Sequence, residues 1–164
     1  MLVVGITSRA LFDLDLSHEI YINQGLEAYR DYQVKKENTP LEQGQAFNLV
    51  NKLLSINRKL NKKVVEVILL SRNTSDIGLR IFNSIEHHGL EIKKAAFTGG
   101  NSPHTYAKSF GAHLFLSSNF SDCKSALKNG IAAARIIPGP KRKLDTNLLK
   151  VAFDGDAVIF SDES

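Results

Sequence analysis

Apolar positions along the chain follow two periods, and the alternation between them divides it into strands and helices. Leu2 to Ile6 is a short run rich in β-branched residues and predicts a buried strand. Two helices are expected next. Ile22, Leu26 and Tyr29 share a face in the first, and Leu49, Leu53, Ile56 and Leu60 recur at helical offsets in the second, with Pro40 in the loop between them. Val64 to Leu70 is nearly all aliphatic, the pattern of a strand covered on both faces, and is expected to be central. Ile77, Ile81 and Ile85 form one row of a further helix that stops at Gly89. Ala95 to Thr98 predicts a strand, after which Asn101 or Ser102 can cap a helix that begins at Pro103. His113 to Leu116, Ser121 to Asn129 and Ala132 to Ile137 complete the series as strand, helix and strand, closed by Pro138, Gly139 and Pro140.

Strands that alternate with helices of this length are joined by right-handed crossovers, so the expected fold is α/β, a three-layer Rossmann-like sandwich with a mostly parallel sheet. The proline pair marks the best boundary: residues 1–140 form one Rossmann-like unit, and 141–164 read as a linker followed by the first strand of a second, truncated unit. Leu144 to Lys150 reads as a short helix or linker. A strand over 151–160 would leave backbone groups unpaired unless it joins a sheet edge or a partner, so pairing or association is expected of it. Ligands gather at the C-terminal ends of the strands in such folds.

Composition narrows the function classes. The 164 residues are 43% apolar and 23% charged, which suits one globular unit with its own core. No apolar run is long enough to cross a membrane, and Asp13, Asp15 and Glu19 stand where a secretory signal would be basic and then apolar. The single cysteine, Cys123, is expected to be a packing residue of a chain in a reducing cytoplasm. A net charge of +4 arises from scattered clusters such as Lys141, Arg142 and Lys143 without interleaved aromatics, which argues against nucleic-acid binding. The histidines show no zinc spacing, since His87 and His88 are adjacent on a helix end and point roughly 100° apart.

The chemistry-bearing segment lies near the end of the sequence. Val151, Ala152 and Phe153 lead into Asp154, Gly155 and Asp156, then Ala157, Val158, Ile159, Phe160, Ser161, Asp162 and Glu163. A strand ending in Asp-x-Asp holds two carboxylates at one turn, and the glycine between them lets backbone approach a ligand. Such a pair suits phosphoryl transfer: one group can bind a magnesium ion and attack phosphorus while the other moves protons.

This string resembles the first catalytic motif of the cytosolic 5'-nucleotidase family, within the haloacid dehalogenase-like superfamily. Ser8 to Phe12, Gln24 to Tyr29, Phe82 to Ile85, Thr98 to Pro103 and Gly130 to Ala134 are similar to other stretches of the same family, so the likeness covers essentially the whole chain. The resemblance implies that Asp154 is the nucleophile and a Mg²⁺ ligand. It implies that Asp156 is the general acid/base and offers its backbone carbonyl to the metal. It further implies hydrolysis of nucleoside 5'-monophosphates, AMP- or IMP-like, to nucleoside and phosphate through an aspartyl-phosphate, in the cytoplasm. The superfamily's remaining groups, a Ser or Thr, a Lys and an acidic pair, are expected beyond Ser164.

An internal repeat accounts for the layout. Val4 to Phe12 aligns with Ala152 to Phe160, which sets Thr7 opposite Asp154 and Arg9 opposite Asp156. Continuing through the first copy, Ser71 stands for the second-motif hydroxyl, Lys108 for the lysine, and Ser117 with Ser118 for the acidic pair. Residues 1 to about 140 therefore read as a degenerate, metal-free relative of the catalytic fold. Its candidate substrate contacts are Arg9, Ser71, Arg72, Asn73, Thr98, Gly99, Gly100, Asn101 and Ser102, each of which also has a plain reading as an ion pair, a capping residue or a turn. The alternative function is a non-catalytic nucleotide-binding or dimerisation module, or half of a split nucleotidase that acts with a separate C-terminal half.

Overall fold

The computed structural model describes residues 1–139 and 148–152. Five parallel strands form one sheet: β1 (Leu2–Thr7), β2 (Val65–Ser71), β3 (Lys94–Phe97), β4 (Leu114–Ser117) and β5 (Ala132–Arg135), in the spatial order β3-β2-β1-β4-β5. Six helices accompany them: α1 (Ser8–Leu11), α2 (Asp15–Lys35), α3 (Phe47–Leu60), α4 (Leu79–His87), α5 (His104–Ser109) and α6 (Phe120–Lys128). The architecture is the expected three-layer α/β sandwich.

Side chains alternate across the strands and assign the layers. Val4, Ile6, Val65, Val67, Leu69 and Leu116 face the layer that holds α3 and α4. Val3, Ile68, Leu70 and Phe115 face the other layer, against Ala107 of α5 and Ala126 of α6. The middle strand is β1, paired in register with β2 on one side (Leu2 with Val65, Thr7 with Leu70) and with β4 on the other (Val4 with Leu114, Ile6 with Leu116). The aliphatic Val64 to Leu70 run therefore sits one place from the centre. Every residue of β2 is buried, but two-sided burial only requires neighbours on both sides, and the second position satisfies that as well as the middle one.

Two helix faces differ from the pattern read along the chain. In α3 the buried positions are Phe47, Val50, Leu53 and Leu54; of the expected row Leu53 is buried and Leu49 and Ile56 pack partly buried against the core, while Leu60 is exposed, so the buried face is centred to one side of that row. In α2 only Tyr29 of the expected row is buried; Ile22 and Leu26 face solvent because the helix breaks at Gly25, whose φ of 87° is a left-handed value that glycine tolerates. The row Ile77, Ile81 and Ile85 is buried as expected, although Ile77 belongs to a separate 3₁₀ turn over Ser75–Ile77. Neither Asn101 nor Ser102 caps α5, which begins one residue after Pro103 with no side-chain cap. The capped helix is α6, where the Asn119 carboxamide oxygen accepts from the Ser121 and Asp122 N–H groups.

The loop from Leu41 to Ala46 closes the core over α1. That helix is one turn long, so its carbonyls have few internal partners, and the Gly44 and Ala46 N–H groups donate to the carbonyls of Leu11 and Ala10. A Cβ on residue 44 would lie 2.8 Å from the Leu11 and Phe12 carbonyl carbons, which requires glycine there. Below the loop, Phe12 stacks on His88 at 5.9 Å, and the His88 Nε2–H donates to the Leu41 carbonyl at 2.8 Å. His88 is thus a packing residue. Cys123 is buried as expected, and desolvation holds its thiol above the usual cysteine value. No helix among the described residues is long and apolar enough to cross a membrane.

Leu54 is 1% exposed between α3 and the sheet. Leu54→Ala is expected to cost about 2–5 kcal/mol in urea unfolding, for the lost transfer energy and the cavity. Glu66, where β2 begins, accepts from Lys63 at 2.6 Å and Lys94 at 3.1 Å, and these bonds hold its carboxyl below the usual glutamate value. A depressed value stabilises the fold above the unfolded-state pKa and loses that contribution as pH falls through the folded value. Both lysines are more than half in water or nearly so, which limits the effect. Glu66→Gln should therefore cost less than about 1 kcal/mol at neutral pH. The gap from wild type should begin to close once pH falls below the unfolded glutamate value of about 4.3 and vanish as it passes below the depressed folded one.

Candidate functional site

The order of the strands creates a break at their C-terminal ends. From β1 the chain winds outward through β2 to β3 with α3 and α4 on one face, then crosses to β4 and β5 with α5 and α6 on the other. Connections depart in opposite directions from the ends of β1 and β4, and a crevice opens between them. Here it is a cleft of about 900 Å³, reached by residues from the ends of β1, β2, β4 and β5.

Its floor is a set of hydroxyls. Thr7 ends β1, Ser71 ends β2 and Ser117 ends β4, and all three are buried. Thr7 Oγ1 donates to Ser117 Oγ at 3.4 Å, and Ser8 Oγ lies 3.0 Å from Ser71 Oγ. The Asn119 N–H also donates to Ser117 Oγ, at 3.1 Å. The positions that the repeat sets against carboxylates, Thr7 and Ser117, thus meet across the crevice as neutral groups.

An ion pair ties the walls together. Arg72 follows β2 and donates through Nη2 and Nε to the two carboxylate oxygens of Asp122, and through Nη1 to the Gly100 carbonyl at 2.7 Å. Ser102 Oγ donates to the same carboxylate at 3.2 Å. Asp122 is 2% exposed, so its charge is tolerable only with such partners. Asn73 Oδ1 accepts from the Tyr29 hydroxyl at 2.9 Å, fixing the second half of α2 to the loop after β2; burial pushes the Tyr29 hydroxyl above its usual value.

Of the sequence-derived contacts, Arg9, Arg72, Asn73, Gly99 and Gly100 line the cleft. Ser71 lies beneath it, bonded to Ser8 and to the Asn73 N–H. Thr98, Asn101 and Ser102 support the loop: Thr98 Oγ1 donates to the Asn101 carbonyl, and Asn101 Nδ2 donates to the Thr98 carbonyl at 3.1 Å. Arg9 pairs with Asp15 at 3.4 Å, with side chains 45% and 78% exposed. Lys108 is exposed on α5 and does not line the cleft. Asp154 and Asp156, the candidate catalytic and metal-binding pair, lie outside the described residues, as do positions 153–160 of the strand expected over 151–160; Val151 and Ala152 are described and belong to no strand.

Sequence reading passed over Asp122, Asn119 and Arg135. Asp122 looks like an ordinary acidic residue in the first turn of a helix, and only the proximity of β2 and α6 reveals its pairing with Arg72. The hydroxyls at Thr7 and Ser117 did leave a signal, the alignment of the two repeat copies. These residues do not fit a divalent cation, which needs several hard oxygen ligands, preferably charged. Among the described residues no group of three or more His, Cys, Asp or Glu side chains could hold a metal ion.

Comparison with known proteins agrees with the motif. A family profile described as 5'-nucleotidase matches residues 1–164. The human protein cytosolic 5'-nucleotidase 1B is 36% identical over 171 aligned positions, which cover 99% of this chain and 28% of the human protein. The chain therefore spans little more than a quarter of that relative's length. Solved structures of the HAD domain of the Legionella pneumophila effector Lem4, one of them an inactive mutant, superpose with TM-scores of 0.46 and 0.45 at 13% identity, covering 86% of this chain and 88% of theirs.

The clamp makes an ordered prediction for stability. Arg72→Ala strands the buried Asp122 carboxylate and is expected to cost about 2 kcal/mol, less than a fully buried pair because the guanidinium is 43% exposed. Asp122→Asn leaves no buried charge and should cost roughly half as much. Equal or reversed losses in urea unfolding would show that the stranded charge is not the cause.

Proposed function

Because the chain belongs to the 5'-nucleotidase family, we propose that it takes part in the Mg²⁺-dependent hydrolysis of AMP- or IMP-like nucleoside 5'-monophosphates to nucleoside and phosphate. The observation that supports this reading is that the family match continues through Phe153 to Glu163, the string that carries Asp154 and Asp156. Asp154 attacks phosphorus and forms the aspartyl-phosphate. Asp156 protonates the departing ribose oxygen and then takes a proton from the water that releases phosphate. Mg²⁺ is the cofactor on this reading, with Asp154 and the Asp156 carbonyl as its ligands from this chain.

Residues 1–140 are proposed as the degenerate unit that presents substrate-side contacts, with Arg9, Arg72, Asn73, Gly99 and Gly100 at the cleft and Ser71, Thr98, Asn101 and Ser102 behind them. Residues 141–164 are proposed as the linker and first strand of the catalytic unit. The proposed setting is the cytoplasm, and the proposed partners are a nucleoside monophosphate together with a second copy or a separate C-terminal half.

Phosphate release from AMP in Mg²⁺ tests the reading. Release by the wild-type chain should fall by on the order of 10³-fold in Asp154→Asn. Equal, negligible release from both proteins would remove autonomous hydrolysis and leave a non-catalytic role.

A further inference from the structure

We infer that the cleft at the strand ends of residues 1–139 binds a nucleoside phosphate monoester without a metal ion, holding the phosphate on hydroxyls and arginines and the base against the aromatic rim. The inference takes its ligand class from the reading above, and it does not require Asp154 or Asp156.

The donor set is the first reason. A phosphate dianion wants hydrogen-bond donors and positive charge, whereas a magnesium site wants carboxylates. At the ends of the two strands that bound the crevice the side chains are Thr7 and Ser117, 8% and 1% exposed. Ser117 Oγ already accepts from Thr7 and from the Asn119 N–H, which leaves its own proton to donate into the cleft. Asp122, the carboxylate buried in the wall among the described residues, is occupied by Arg72 and Ser102 and is not available to a cation.

Two arginines on the cleft are held loosely. Arg9 reaches Asp15 at 3.4 Å in an exposed, solvent-screened pair, and Asp13 and Asp15 on the same lining compete with any anion for it. Arg135, at the end of β5, donates Nε to the Ser118 carbonyl at 3.4 Å. That contact uses one of five guanidinium donors, and a phosphate accepts the fork formed by others.

The rim supplies the rest. Phe120, at the start of α6, is 61% exposed, and Tyr21, on the first half of α2, is 46% exposed with its ring stacked on His18 at 6.2 Å, and both residues line the cleft. An aromatic ring left in water beside a polar pocket is a platform for a planar base. A volume of about 900 Å³ accommodates a nucleoside monophosphate with water to spare.

Equilibrium binding to the full chain in EDTA tests this, with AMP, adenosine and inorganic phosphate as separate probes. Saturable binding of AMP is expected, tighter than either fragment. Arg9→Ala and Arg135→Ala, both at exposed side chains that carry little of the fold, should each weaken AMP and phosphate about tenfold. Phe120→Ala should weaken AMP and adenosine but leave phosphate unchanged, and Asp154→Asn should bind AMP as wild type does. The inference is overturned if AMP does not saturate in EDTA, or if binding is lost in Asp154→Asn and untouched in both arginine variants. Binding in EDTA without phosphate release in Mg²⁺ would uphold this site and sink the hydrolase reading; release without binding in EDTA would do the reverse.

Discussion

Pairing of β1 with a parallel neighbour on each edge is the constraint from which the rest of the molecule follows. Its backbone is satisfied by β2 and β4, and its side chains must then be apolar on both faces, as Val3, Val4 and Ile6 are. Because the two neighbours continue into opposite halves of the sheet, the end of β1 cannot be covered by either connection, and the crevice stays open. Thr7 and Ser117 come within hydrogen-bond distance for the same reason. They are 110 residues apart in the chain and adjacent only through the register of β1 against β4.

What occupies that crevice decides the chemistry. Read as a repeat of residues 152–160, the segment around Thr7 sets a hydroxyl against Asp154, and in the described unit Ser117 faces that hydroxyl across the gap. Neutral groups need no metal to be compatible with one another at 3.4 Å, whereas two carboxylates that close would repel. The buried acid in the wall, Asp122, is neutralised by Arg72, and that pair joins the loop after β2 to the start of α6. Rigidity around the cleft therefore comes from an ion pair and a hydroxyl network, and charge toward the solvent comes from Arg9 and Arg135.

Elements were legible where periodicity and burial coincide. Ile77, Ile81 and Ile85 form one buried row, and the five strands fall close to where aliphatic runs placed them, because a two-faced strand admits few polar residues. The row Ile22, Leu26 and Tyr29 was misleading, since helical spacing says which residues share a side but not whether anything packs on it; Gly25 breaks the helix and leaves two of the three in water. The order of strands was not legible either. An aliphatic run is equally comfortable at any interior position, so β2 could not be distinguished from the middle strand by composition.

The site divides the same way. Sequence by itself determined the α/β class and the family through the Asp154 to Glu163 string, because these depend on residue identity and short spacing. Only the tertiary structure decided that Arg72 serves Asp122, that Tyr29 holds Asn73, that Asn101 and Ser102 brace a loop and cap no helix, and that Arg135 reaches the cleft. The Tyr29–Asn73, Arg72–Asp122 and Ser102–Asp122 contacts join residues 20 or more positions apart, and Arg135 meets Ser118 17 positions away because β5 lies beside β4. Such distances are set by sheet order and register, and no local pattern of apolar and polar residues encodes them.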